Sequence, residues 1–148
     1  MAHRQIRRIV AVQPPLEANH RHKKIMPLGL GYLLAVVRRS FPDMALSCLD
    51  LQGTGMDLAT GEEELLRRAP DVVLMTCWTP MAESAYRLLA ALRQKSVVPP
   101  LLICGGVHPT LFPEEVLKYC DYVITHEGEA TLVELLQCLR ADKDPAKV

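Results

Sequence analysis

Cys104, Gly105, Gly106 and His108 stand almost side by side, and they include two residue types that polar chemistry uses. A thiol beside an imidazole could form a nucleophile and its base. The local pattern argues otherwise, because Cys104 closes the apolar run Leu101-Leu-Ile-Cys104, which reads as a buried strand. A thiol there packs rather than attacks. The glycine pair carries a different reading. Two positions without Cβ at a strand end make a tight turn or let a bulky ligand pass over bare backbone. Pro109 and Thr110 stiffen the loop beside them.

Other apolar runs end in equally unusual loops. Thr76-Cys77-Trp78-Thr79-Pro80 brings two hydroxyls and the only tryptophan, and His126-Glu127-Gly128-Glu129 brings an imidazole and two carboxylates. Pro14-Pro15-Leu16 stops the first run and opens a basic stretch containing His20, Arg21, His22, Lys23 and Lys24. Asp50 closes the second run, where capping a loop is the commoner use of an aspartate. The five cysteines are widely spaced, with no Cys-x-x-Cys pair. That argues against a structural zinc site and a disulfide framework, and it suits buried thiols in a reducing cytoplasm.

Lys+Arg and Asp+Glu both total 17, so no global basic field exists to hold nucleic acid or an anionic membrane. The start, Met-Ala-His-Arg-Gln, lacks the apolar segment of a signal peptide. No apolar run approaches the ~18 residues of a membrane span. At 148 residues the chain reads as a single domain, with a core over about 6–140 and 141–148 as tail or linker.

These loops need elements to position them. Strand patterns cover 6–13, 44–51, 72–77, 97–104 and 121–125, and helix patterns cover 28–39, 62–69, 81–95, 113–120 and 130–140. Residues 16–27 and 52–61 read as loops. Alternating strands and helices predict an α/β fold, a doubly wound five-stranded parallel sheet of flavodoxin-like or Rossmann-like type, in the order 2-1-3-4-5. The unusual loops then share the carboxyl rim of the sheet, where ligands of such sheets bind. Gly29 and Gly31, in the first turn of the helix that Pro27 opens, cost about 1 kcal/mol each relative to Ala. They suggest close packing or a ligand against that turn.

Several ligands fail on sequence. Gly29-x-Gly31 is followed by Leu34 where a dinucleotide fingerprint needs glycine, and it lies far from the first strand. Pro14-Pro15-Leu16 is not a flavodoxin phosphate loop, and Val12-Gln13 lacks the acidic pair of a phospho-receiver.

Taken in chain order, Pro14-Pro15-Leu16, Pro27-Leu28-Gly29-Leu30-Gly31-Tyr32-Leu33, the Thr76–Thr79 turn, Gly105-Gly106-Val107-His108-Pro109-Thr110 and Glu127-Gly128-Glu129 form a recognisable set. Together they resemble the cobalamin-binding domain of cobalamin-dependent radical S-adenosylmethionine enzymes, the group of class B methyltransferases and the anaerobic magnesium-protoporphyrin cyclase. The resemblance spans about 6–140. It implies a corrinoid across the rim with its nucleotide tail in the sheet groove. Gly105 and Gly106 would let the tail pass, and Thr76 or Thr79 would meet its base. Pro15, Leu16, Leu28, Gly29, Gly31, Tyr32 and Trp78 would border the cofactor, with His108, Pro109, Thr110, Glu127 and Gly128 lining the corrin face or the phosphate region.

Departures sharpen that expectation. The Asp-x-His-x-x-Gly motif of methionine-synthase-like modules, whose histidine ligates cobalt, fits neither His20 nor His22. Base-off cobalamin without a conventional histidine ligand is expected, with His20, His22 and His108 as outside candidates for the metal. Thr125-His126 precedes Glu127 where the family usually has a Gly-Glu pair leading in. The iron–sulfur motif Cys-x-x-x-Cys-x-x-Cys is not in this sequence. The expected role is therefore a cobalamin carrier without its own cluster or S-adenosylmethionine site, presenting cobalt to a radical core or partner protein for methyl transfer. The alternative is a cofactor-free interaction module on the same fold, with the basic loop as its docking surface.

Overall fold

The computed structural model describes residues 5–16 and 26–145. Its strands are β1 (Arg8–Gln13), β2 (Ala45–Asp50), β3 (Val72–Thr76), β4 (Leu101–Gly105) and β5 (Tyr122–Ile124). All pair in parallel, in the expected order β2-β1-β3-β4-β5. The central strands are apolar on both faces, as a sheet covered on both sides requires. Ile9, Ala11, Val72, Leu74, Ile103 and Ile124 pack under α1 (Leu28–Ser40) and α7 (Glu129–Arg140). Val10, Val12, Val73, Met75, Leu102 and Cys104 face the other way, toward α3 (Leu58–Arg68) and α4 (Ala82–Lys95).

Carboxylates fasten the amino edge of the sheet. Asp71 accepts the backbone N–H groups of Arg7 and Arg8 at 2.8 and 2.7 Å. Asp121 accepts Leu102 N–H at 2.8 Å and pairs with Arg93 at 2.7 Å. The carboxyl edge carries the loops.

Local structure departs from the expected elements in four places. The stretch 52–61 is not a loop. Asp50 accepts from Gly53 N–H at 2.7 Å and starts α2 (Leu51–Thr54), and Asp57 accepts from Thr60 N–H at 2.8 Å and starts α3 at Leu58. β4 begins at Leu101 rather than 97, because Pro99 and Pro100 have no N–H for a ladder, and Val97 and Val98 stand in solvent. The loop after β4 winds into α5 (Val107–Leu111). The next helix stops early, as α6 (Pro113–Val116). Among the described residues, no helix is long and apolar enough to cross a membrane.

Candidate functional site

At the carboxyl ends of β3, β4 and β5, on the α1/α7 face, the sheet opens into a slot of about 160 Å³. Leu74, Ile103 and Ile124 form its floor, and Leu30, Leu33 and Leu132 its walls. Strand periodicity explains the mouth. Thr76 follows Leu74 and Gly105 follows Ile103 at two-residue spacing, so both turn to this face, and they are partners in the ladder. His126, Glu127, Gly128 and Glu129 close the mouth from the β5 side.

The glycines do different jobs. A Cβ on Gly128 would sit 3.2 Å from Ile124 Cγ2 and 3.5 Å from Leu33 Cδ2, so its absence leaves the slot open. A Cβ on Gly105 would make only an ordinary contact, 3.5 Å from Ile124 O. Gly106 differs. Its φ is +109°, and a Cβ there would lie 2.9 Å from Cys77 O and 3.2 Å from Cys77 N. Gly106 also lines the slot. Its conformation and the neighbouring backbone already require glycine. Gly29 and Gly31 show the converse, since a Cβ on either meets nothing within 4 Å. Close packing does not explain them.

The two threonines of the β3 loop part company. Thr76 lines the slot. Thr79 begins a 3-10 turn (Thr79–Met81) and bonds His108 Nδ1 at 3.2 Å. His108 is 4% exposed, and its Nε2 meets Tyr86 Oη at 2.9 Å. Both imidazole nitrogens are thus engaged within the chain. Thr110 donates to Gly106 O at 2.9 Å and accepts His126 N–H at 3.1 Å, which ties the β4 and β5 loops together. His126 takes a left-handed φ of +59° to reach it.

The remaining expected residues spread around the rim. Trp78 is 39% exposed, and Leu28 and Tyr32 face solvent on α1. Pro109 is buried in α5. Pro15 and Leu16 border a separate cavity of about 390 Å³, which Gln52, Met56 and Arg87 also line. Leu16 N–H donates to Gln52 Oε1 there at 2.7 Å. His20 and His22 lie outside the described residues. Among the described residues, no group of three or more His, Cys, Asp and Glu could hold a metal ion.

Thiol chemistry finds no support. Cys104 is held well above its usual pKa, first by its hydrogen bond with Cys120 and then by burial. Burial, with Glu115 nearby, pushes Cys77 up to about 12. The apolar lining of the slot, Leu30, Leu33, Leu74, Ile103, Ile124 and Leu132, was not among the cofactor residues expected from sequence, nor were His126 and Glu129, although their loop was expected on the rim. Helical spacing of Leu30 and Leu33 signalled a buried stripe, but not the gap beneath it.

Among curated proteins, none matches the chain by sequence. Solved structures share its fold. The radical S-adenosylmethionine methyltransferase TsrM from Kitasatospora setae, solved with tryptophan substrate and an S-adenosylmethionine analog, is 20% identical with a TM-score of 0.77, over 93% of this chain and 26% of that one. The cobalamin-dependent S-adenosylmethionine radical enzyme OxsB, with aqua-cobalamin and S-adenosylmethionine bound, is 19% identical with a TM-score of 0.76, over 95% of this chain and 20% of that one. The chain thus spans about a quarter and a fifth of these longer proteins. The model of the B12 binding domain matches residues 18–136, most of the length, and on that match the chain belongs to the B12-binding domain family.

Proposed function

We propose that this chain, as a single domain with its core over 6–140, binds cobalamin base-off, seats the nucleotide tail in the slot and holds the corrin across the rim. The slot itself carries the reading. Its size is close to that of a ~150 Å³ apolar cavity that accepts one benzene ring, and its walls are aliphatic. Gly128 and Gly105 leave a gap without side chains in a mouth that His126, Glu127 and Glu129 border, and Thr76 offers one hydroxyl beside it. These residues fit the apolar base of the tail, and the exposed first turn with Gly29 and Gly31 leaves room for its phosphate or ribose. Pro15, Leu16, Leu28, Tyr32, Trp78, Thr79, Pro109, Thr110 and Glu127 border the remainder in this proposal. His108 gives the cobalt no free nitrogen, which supports a lower face without a conventional histidine.

When bound, cobalamin supplies a cobalt centre able to take up and hand on a methyl group. The chain's own part is to bind, orient and exclude water. We place it beside a radical S-adenosylmethionine core, as a domain or as a separate partner in the cytoplasm, with methyl transfer as the reaction served. The ordered set of loop motifs supports this, and so does the likeness to TsrM and OxsB, which are named as such enzymes.

The test is a visible absorption spectrum after incubation with hydroxocobalamin and gel filtration. Corrinoid bands co-eluting near unit stoichiometry, at base-off positions, are expected. A folded but colourless protein would overturn the proposal in favour of a cofactor-free interaction module.

A further inference from the structure

On the α4 side of the rim, four polar groups form a chain that the slot does not use. Thr79 Oγ1 lies 3.2 Å from His108 Nδ1, His108 Nε2 lies 2.9 Å from Tyr86 Oη, and Tyr86 Oη lies 2.9 Å from Glu115 Oε1. A carboxylate only accepts, so the Tyr86 hydroxyl donates to Glu115. The phenol keeps its proton, since burial first and the Glu115 bond second raise its pKa above the usual value. Its oxygen then accepts from Nε2–H of His108. That leaves Nδ1 as an acceptor, which takes the hydrogen of the Thr79 hydroxyl. Every proton in the chain points the same way, from Thr79 toward Glu115. Thr79 is exposed at the rim, yet its hydroxyl hydrogen is turned inward.

The same histidine is anchored on other sides. Its backbone N–H donates to Cys77 O at 3.1 Å, and its ring lies 5.1 Å from that of Phe112. Tyr86 stacks on Tyr119 at 4.0 Å. One imidazole therefore joins the Thr79–Met81 turn, α5, α4 and α6.

We propose that His108 is a positioning residue that presents the Thr79 hydroxyl to the rim as a hydrogen-bond acceptor only. The corrinoid group meeting Thr79 is then an N–H donor such as a side-chain amide, and a carboxylate in its place is disfavoured. The ligand half rests on the cobalamin reading above, whereas the polarity of the chain does not.

The experiment has two arms. In the free protein, nitrogen-15 NMR at a pH where the imidazole is neutral should find His108 as the Nε2–H tautomer. Tyr86→Phe should blur that preference and speed amide exchange at Gly106, Val107, His108 and Thr110 about two- to tenfold, the range of one lost hydrogen bond. An Nδ1–H tautomer, or unchanged exchange, would overturn the positioning role. In the second arm, release of cobalamin is compared with release of a derivative in which one side-chain amide is hydrolysed to carboxylate, tested for each position in turn. At one position, wild type should release the carboxylate about tenfold faster. His108→Ala should lose that preference, and His108→Asn, which keeps an acceptor near Thr79, should restore part of it. A preference equal in all three proteins, or none in wild type, would sink the ligand half. Wild type that binds neither corrinoid would sink the cobalamin reading itself, with the NMR arm still deciding the relay.

Discussion

Thr76 and Gly105 stand opposite each other at the last paired step of β3 and β4, and both face the apolar slot. One residue later the chain reverses its requirement. Gly106 still lines the slot, but its positive φ and the Cys77 backbone beside it already exclude a side chain. Adjacent glycines thus separate what a binding site needs from what a turn needs, and substitutions can address each alone.

Gly105→Leu should close the slot without disturbing the fold, because its Cβ finds only an ordinary contact at 3.5 Å. Gly128→Val acts at the same mouth, against Ile124 and Leu33. Cobalamin retention after gel filtration should fall at least tenfold, ~1.4 kcal/mol, in both, with little change in thermal midpoint for Gly105→Leu and a lower one for Gly128→Val, whose Cβ presses on Ile124 at 3.2 Å. Full retention in both variants would move the tail elsewhere.

Gly106→Ala should instead weaken the protein itself. A positive φ on a residue with a Cβ, plus the close approach to Cys77, predicts a loss of about 1–3 kcal/mol. Urea unfolding of the cofactor-free protein checks this, through a lower midpoint at unchanged slope. A midpoint equal to wild type would mean that the loop relaxes freely.

Gly29→Ala and Gly31→Ala should have opposite effects on the two states. Each removes a helical glycine where added Cβ atoms meet nothing, so the free protein should gain up to about 0.5–1 kcal/mol per site. Cobalamin should be released faster if it lies against that turn. A stabilised variant with unchanged release would leave these glycines without a ligand role.

Acid should weaken α3 through Glu64. Its carboxylate accepts from Arg67 and Arg68 at 2.8 Å. These bonds, Arg67's first, lower its pKa from the ordinary 4.5 to about 2. The folded value lies below the unfolded one, so the contribution is complete above about 4.5 and is lost as pH falls toward about 2. Glu64→Gln should flatten that part of a plot of thermal midpoint against pH, and so should added salt, since the group is at the surface. Superimposable acid limbs for variant and wild type would rule this group out.

The sheet was readable because strands buried on both faces appear as unbroken apolar runs, as in Ile9–Val12 and Leu101–Cys104. α2 and the start of α3 were not, since Asp50 and Asp57 cap helices inside a polar, glycine-bearing stretch whose composition says loop. α5 escaped for a related reason. Pro109 reads as a breaker, yet it sits in a first turn, where the missing N–H costs nothing. For the site, the rim was legible from the strand ends. The side each loop residue takes was not, because two residues of turn geometry decide it, as Thr76 and Thr79 demonstrate.

The sheet divides the slot from the His108 relay, which lie on opposite faces and meet only at its edge. In the free protein the two regions touch only through the loop after β4, and substitutions more than about 7–10 Å apart across the divide, with no shared partner, should sum to within about 0.3–0.5 kcal/mol. A ligand long enough to reach over the edge would make them neighbours, so the departure from a simple sum on loading is a ruler for how far that ligand extends.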